Sequence, residues 1–388
     1  MKILSVVGAR PQFVKVAAVL RGFEHVNQEY GENIIESVLV HTGQHYDFQM
    51  SDLFFRELML PDPDYNIGIG SGLHGEQTGK MLEALEKVYL DEQPDVVLVY
   101  GDTNSTLAGA LAASKLHIPV THVEAGLRSF NRRMPEEINR VLTDHLSTIL
   151  FCPSKAACQN LANEGFNNIV NDGELLSEKG IKQISFGQEK PAVINVGDVM
   201  LDALQMVQDD LEVPVEFKDK LRGERYIALT LHRAENVDDK ERLTSLLEAI
   251  ADSPLQIIFP VHPRTKARIS VFGLNGYVNK FPYELVDPLG YKEMLGIVCN
   301  ASLVVTDSGG LQKEAFMLGV PCITLRTETE WMETVEVGWN RLQPYPESGF
   351  IQNSLSWAQK VRTMEQPQLY GDGFAGKRIA LMLIEALS

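Results

Sequence analysis

The segment SLVVTDSGGLQKEA, Ser302–Ala315, decides how this chain is read. An apolar run, Leu303, Val304 and Val305, stops at Thr306-Asp307-Ser308, and two glycines lead into a helix-forming stretch. Gly309 and Gly310 have no Cβ, so a ligand can approach the backbone closely. The helix behind them turns its free N–H groups and the positive end of its dipole toward the same point. Strand, glycine turn and helix in this order form an anion site, most simply for phosphate. Glu314 stands one helical turn beyond Gly310 on the same face, where its carboxylate can accept from two ribose hydroxyls. The plainer reading is a tight turn that only lets strand and helix pack.

Working outward from that segment, short apolar runs alternate with helical patterns along the whole chain. Strands are expected at Lys2–Val7, Ser37–His41, Val96–Tyr100, Val120–Val123, Thr148–Cys152 and Ala192–Val196. A second series follows at Tyr226–Leu231, Gln256–Val261, Glu284–Val286, Leu303–Thr306 and Cys322–Leu325. Most runs are continuous rather than alternating, as in strands buried on both faces. Helices are expected at Pro11–Phe23, Thr103–Leu116, Glu136–Leu146, Asp239–Ile250 and Leu311–Leu318. This βαβ order predicts an α/β fold with two Rossmann-like doubly wound domains facing across a cleft. The predicted domains are 1–196 and 197–372, with a boundary near Val196–Asp198. The polar stretch Asn171–Pro191 reads as a long surface loop with weak helix signals. The amphipathic helix of 373–388 is expected to pack back on the first domain.

At 388 residues the chain exceeds one ordinary core, and its 44% hydrophobic and 22% charged content are those of a globular protein. Its 35 basic against 52 acidic residues give a net charge of −17, which argues against nucleic acid or an anionic membrane as partner. A phosphorylated small molecule remains compatible if cationic groups gather locally. Cys152, Cys158, Cys299 and Cys322 show no metal-type spacing and suit reduced thiols in a cytoplasmic protein. The start MKILSVVGARP lacks the apolar length and cleavage pattern of a signal peptide, and no stretch approaches the ~20 apolar residues of a membrane span.

In open α/β sheets, ligands bind beyond the C-terminal strand ends. The first strand ends in GARPQFVK, which puts Arg10 and Lys15 near a helix N-terminus, suited to phosphate. A solvated basic pair is the alternative. HTGQHYD, His41–Asp47, offers polar ligand contacts, ordinary loop polarity, or a conceivable metal site. Asp102, in VYGDTNST, follows a strand directly, and N-capping would also explain it. Glu124 ends a buried strand in VTHVEAGLRS, a setting that makes a carboxylate a candidate acid or base. RMPEEINR opens a helix with Glu136 and Glu137, where dipole compensation is the ordinary role. The two cannot face the same way. LTLHRAEN ends its strand with His232, Arg233 and Glu235, and FPVHPRT repeats the pattern with His262 and Arg264. Phosphate-type groups lie on both halves and most of the carboxylates on the first. That division suggests a phosphorylated nucleotide held by the second domain and chemistry performed by the first.

With these motifs in this order, the chain resembles the non-hydrolysing UDP-N-acetylglucosamine 2-epimerases. The likeness runs through VVGARP, GDTNST, HVEAGLRS, MPEEINR, LTLHRAEN, TDSGGLQKEA and ETEWMETVEVGWN. The resemblance implies a glycosyltransferase-B arrangement of the two domains and a homodimer. It also implies a reaction that supplies surface polysaccharide precursors. In it a base removes the sugar's C2 proton while UDP leaves C1. The resulting 2-acetamidoglucal takes UDP back, and the proton returns on the other face. The resemblance assigns Asp102, Glu124 and Glu136 to acid–base chemistry, as alternatives for the base. It places His232 near the diphosphate, and Arg10 and Lys15 near phosphate or the reacting sugar. Ser308, Gly309, Gly310 and Glu314 match the UDP site, with Glu314 on ribose, and Tyr291 lies where the family contacts uracil. His262 joins the substrate-binding set. Gln44 and His45 match a region that binds a second, activating nucleotide sugar in several bacterial members. No metal or nicotinamide cofactor is implied.

Two motifs depart from the family's usual form: GTRPE reads GARPQ here, with Gln12 for a carboxylate, and TAQHR reads TGQHY. Arg132 and Arg133, in SFNRRMPEE, resemble a related branch acting on UDP-2,3-diacetamido-glucuronate, whose C6 carboxylate would suit an arginine. Surface basicity is the alternative. On the same scaffold, a glycosyltransferase or hydrolase and a non-catalytic nucleotide-sugar binder are the competing functions.

Overall fold

The computed structural model describes residues 1–31, 34–44, 57–181, 190–215, 217, 221 and 225–387. These form two compact units, Met1–Met206 with Gln368–Ser388, and Val207–Pro367. Each is built on one parallel sheet.

The first sheet contains β1 (Lys2–Val7), β2 (Glu36–His41), β3 (Tyr65–Asn66), β4 (Val96–Tyr100), β5 (Val120–Val123), β6 (Ile149–Cys152), β7 (Asn168–Ile169) and β8 (Ala192–Asn195). Their spatial order is β3-β2-β1-β4-β5-β6-β8-β7. The second contains β9 (Tyr226–Thr230), β10 (Gln256–Pro260), β11 (Tyr283–Val286), β12 (Leu303–Thr306), β13 (Cys322–Thr324) and β14 (Asn340–Leu342). Its order is β11-β10-β9-β12-β13-β14. Every pairing is parallel, for instance Ile3 beside Ser37 and Val96, and Leu303 beside Ile227. Each sheet winds outward both ways from its first strand. Its topological switch point therefore lies between β1 and β4 in the first unit and between β9 and β12 in the second. Ligands settle at such points in doubly wound sheets.

Strands β4, β5, β6, β8 and β12 are buried along their entire length, which is why they read as mainly apolar runs without alternation. Strands β3, β7 and β14 were not expected. They are two or three residues long, too short to make such a run. The 19-residue helix His74–Glu92 also lies outside the expected set, though its buried Gln77, Met81, Leu85, Val88 and Tyr89 keep a clean helical period. In 171–191, Val170–Gly173 forms a 3₁₀ turn and Glu178–Ile181 a short helix. Part of that stretch lies outside the described residues.

The helix Arg10–Tyr30 begins directly after β1 and is longer than expected. It is buried on nearly every side, from Gln12 through Val26. The sheet covers one flank and the helix Ala375–Leu387 the other. These two helices meet glycine to glycine, because a Cβ on Gly22 would stand 2.3 Å from the Gly376 carbonyl group. Gly376 N donates to Asp202 Oδ1 at 2.7 Å, and Arg378 Nη1 donates to the Val196 carbonyl at 3.2 Å. Among the described residues, no helix is long and apolar enough to cross a membrane.

Candidate functional site

At the switch point of the first unit, β1 gives way to Gly8-Ala9-Arg10 and β4 to Gly101-Asp102. Gln12 fastens the two turns. Its Oε1 accepts from Gly8 N and Ala9 N at 2.8 and 3.0 Å, and its Nε2 donates to the Tyr100 carbonyl and Thr106 Oγ1 at 2.8 and 3.0 Å. A carboxylate could not donate those last two bonds, so the amide at this position has a clear physical use. Arg10 opens the helix.

One turn later, Lys15 Nζ donates to Glu124 Oε2. Lys15 is 7% exposed and Glu124 8%. Glu124 follows β5 directly with φ +72°, a left-handed conformation that a non-glycine residue holds only when its surroundings impose it. Gly101, at φ +64°, makes room for this pair. A Cβ there would lie 2.9 Å from Lys15 Nζ and 3.3 Å from Glu124 Oε2. Asp102 follows at once, with its carboxylate held by Arg140 Nη2 and its carbonyl by Asn139 Nδ2 at 3.0 Å. Lys15, Glu124, Gly101 and Asp102 therefore form one cluster.

The two acidic residues of the helix Pro135–Leu146 have separate surroundings. Glu137 is buried and accepts from Ser129 N, Ser129 Oγ, Phe130 N and Arg140 Nη1 at 2.9–3.1 Å. It pins the loop that carries Phe130, Arg132 and Arg133, all three exposed. Glu136, the candidate from sequence, is half-buried in the same first turn.

The HTGQHYD segment is partly structural. His41 is buried against Phe13, ring centroids 5.2 Å apart, and burial lowers its pKa. Gln44 Oε1 accepts from Ser105 N at 3.0 Å and Ser105 Oγ at 2.7 Å. His45 lies outside the described residues. Among the described residues, no group of three or more His, Cys, Asp or Glu side chains could hold a metal ion.

In the second unit the turn after β12 is bound tightly to the turn after β9. Asp307 is fully buried, and its carboxylate accepts from His232 N, Arg233 N and Asn236 Nδ2 at 3.0–3.1 Å. Ser308 caps the helix Gly309–Met317, accepting from Leu311 N. The helix starts two residues earlier than expected, so both glycines sit in its first turn, where N–H groups have no intrahelical partner. A Cβ on Gly309 would stand 3.7 Å from Arg233 Nη2, 4.0 Å from Arg326 Nη1 and 3.8 Å from Glu330 Oε2. The guanidinium groups of Arg233 and Arg326 thus gather beside that turn in a chain that is acidic overall. Arg326 is buried and donates to Glu330 at 3.1 and 3.4 Å.

His232 lies 5.6 Å from His262, ring to ring. Burial pushes the pKa of His232 down. Asp307 pulls it up, while Arg233, His262 and Arg326 add to the lowering. His262 caps its own helix through Nδ1, accepting from Arg264 N at 3.2 Å. Glu314 is half-buried on the helix after the glycines, and Tyr291 is buried at the start of the helix Tyr291–Asn300.

Sequence reading left several neighbours unassigned. Gly101 belongs to the first cluster and His122, Arg140 and Asp144 adjoin it, while Asp307, Arg326 and Glu330 adjoin the glycine turn of the second unit. Arg326 lies two residues past β13, so the strand-end rule applies to it equally. His122 shows in sequence as a polar residue inside the apolar run VTHV.

Two doubly wound units, one with a cationic glycine turn and the other with a buried lysine–carboxylate pair, are the equipment of a nucleotide-binding α/β enzyme. The chain belongs to the UDP-N-acetylglucosamine 2-epimerase family, whose sequence pattern matches residues 28–384. It is 45% identical over 98% of both chains to a Pseudomonas aeruginosa protein named UDP-2,3-diacetamido-2,3-dideoxy-D-glucuronate 2-epimerase. It is 44% identical over 99% of both chains to the UDP-N-acetylglucosamine 2-epimerase of Methanocaldococcus jannaschii. A crystal structure of the M. jannaschii enzyme with UDP-GlcNAc and UDP superposes with a TM-score of 0.80 at 43% identity, covering 99% of each chain. The Neisseria meningitidis enzyme bound to UDP-GlcNAc gives 0.79 at 30% identity, again over 99% of each.

Proposed function

We propose that this chain interconverts UDP-N-acetylglucosamine and UDP-N-acetylmannosamine. The supporting observation is Glu124, a buried carboxylate in strained backbone, paired with Lys15 beside Asp102 at the first unit's switch point. In the reaction a carboxylate takes the C2 proton, and the C2–H electron pair forms the C1=C2 bond. The C1–O electrons leave with the β-phosphate of UDP. Return of UDP to C1 and of a proton to the opposite face of C2 completes the inversion. Removing so weakly acidic a proton requires a positioned base, and UDP departure requires neutralised charge.

We assign the proton chemistry to Asp102, Glu124 and Glu136. Arg10 and Lys15 attend the sugar or phosphate. The second unit's Ser308–Gly310 turn, with His232, His262 and the neighbouring Arg233 and Arg326, holds the diphosphate. Glu314 takes the ribose and Tyr291 the uracil. Gln44 and His45 form the candidate region for an activating nucleotide sugar. The enzyme works in the cytoplasm as a homodimer, and sedimentation of a monomer at assay concentrations would remove the dimer from this reading.

The second reading is UDP-2,3-diacetamido-glucuronate as substrate. Exposed Arg132 and Arg133 on the loop pinned by Glu137, and the similarity to the P. aeruginosa protein, favour it.

Incubation with each UDP-sugar in D₂O, followed by NMR, tests both readings. Deuterium at C2 with inversion is expected, and the sugar that shows it is the substrate. Free UDP and sugar without C2 exchange would mean hydrolysis or transfer, and binding without turnover a nucleotide-sugar binder.

A further inference from the structure

Beneath the strand ends of the first unit lies a histidine that the chemistry above leaves unused. His122 is the third residue of β5, and its side chain is entirely buried. Nδ1 lies 2.6 Å from Asp144 Oδ1, and Nε2 lies 2.6 Å from the carbonyl oxygen of Gly101. A carbonyl oxygen only accepts hydrogen bonds, and an ionised carboxylate does the same. Asp144 is the ionised partner. Burial pushes its carboxyl up, but His122 and Arg128 outweigh this and hold it below the usual carboxylate range. Its second oxygen meets Arg128 Nη1 at 2.7 Å and Gly126 N at 3.2 Å. Arg128 in turn grips Glu164 through Nε and Nη2, both at 2.7 Å. Each ring nitrogen thus faces an oxygen that can accept a hydrogen bond from it.

These contacts join two particular turns. Gly101 precedes Asp102 and makes the space for the Lys15–Glu124 pair. Gly126 lies two residues past Glu124 in the turn that carries it. The path Gly101, His122, Asp144, Gly126 therefore ties the peptide before Asp102 to the turn holding Glu124. No other function is needed to explain why two ring nitrogens and two carboxylate oxygens are spent deep under a strand end.

We propose that His122, protonated on both nitrogens and locked by Asp144, is a positioning residue that sets the spacing of Asp102 and Glu124. The inference rests on the assignment of those carboxylates to the sugar's proton chemistry. A buried ring that only filled space would be replaceable by any side chain of similar volume. A positioning ring makes turnover depend on both of its hydrogen bonds.

The test combines ring ¹⁵N–¹H spectra of the full chain labelled at histidine with kinetics of two variants. At assay pH, one ring should carry a proton on both nitrogens, and its signals should vanish in His122→Gln, whose amide cannot span both acceptors. His122→Gln should lose about 10²-fold in kcat for C2 exchange, the scale expected when reacting groups shift by about 1 Å. KM should stay within about threefold, since substrate binding is left in place. Asp144→Asn keeps the shape and removes the charge; its His122 ring should carry one proton, with a similar kcat loss. A wild-type ring protonated on one nitrogen overturns the proposal. So does either variant, folded, with wild-type kcat. Should neither variant fold, the wild-type spectrum decides. If the wild type exchanges no C2 proton with any UDP-sugar, the epimerase reading fails, and the spectrum still judges the histidine separately.

Discussion

Glu124→Gln should bind UDP with nearly wild-type affinity and lose C2 proton exchange by about 10³-fold, in the range that general acid–base groups supply. The amide keeps the shape and can still accept from Lys15, but it cannot take a proton from carbon. UDP binding should survive because the proposed diphosphate turn belongs to the other unit. The same substitution leaves Lys15 buried opposite a neutral group. Breaking a buried pair in this way costs about 3–5 kcal/mol, so the first unit should also melt earlier. Thermal unfolding and isothermal titration with UDP separate the two effects from the NMR exchange rate. Exchange at the wild-type rate in a folded Glu124→Gln variant would take this residue out of the mechanism.

Asp307→Asn should act on the second unit. The carboxylate holds three donors from the β9 turn, His232 N, Arg233 N and Asn236 Nδ2. An asparagine offers one acceptor oxygen and turns an NH₂ toward backbone N–H groups. A buried donor left without a partner costs about 1–3 kcal/mol, so a loss of about 2–4 kcal/mol is expected. Release of that turn also frees Arg233 from its place beside Gly309 and His232 from its place beside His262, and UDP affinity should fall by about tenfold or more, as when a charge-assisted contact is lost. Reduced thermal stability with unchanged UDP affinity would limit Asp307 to a scaffold role. With two compact units, heat unfolding is best followed in each separately, because one two-state transition is not assured.

The parallel architecture was legible because strands buried on both faces must be largely apolar, as β4 is throughout and β12 is up to Thr306, whereas β5 carries His122 and Thr121 inside its run. Strand ends were legible for the same reason: the first polar residue after such a run, Asp102 or Asp307, must sit at the sheet's C-terminal edge. What escaped was partnership. Arg140 reaches Asp102 across 38 positions of sequence and His232 meets Asp307 across 75. No local pattern encodes such separations; they appear only when helices and strands pack. Gly101 illustrates a related gap. In sequence it is a residue before an aspartate, and the lack of room for a Cβ there follows from Lys15 and Glu124, which arrive from other elements. The short strands β3 and β14 went unread because pairing, not composition, defines them.

The contact of Gly22 with Gly376 has a bearing on the order of assembly. The unit that carries Lys15 and Glu124 is closed by residues 368–388, synthesised after the whole of Val207–Pro367. On the ribosome the second unit can be complete while the helix bearing Arg10, Gln12 and Lys15 still has one flank bare. The nascent first unit therefore waits, with an apolar helix face uncovered, for the helix Ala375–Leu387. Folding of the unit to which the proton chemistry is assigned is in this sense postponed until the second unit has been synthesised.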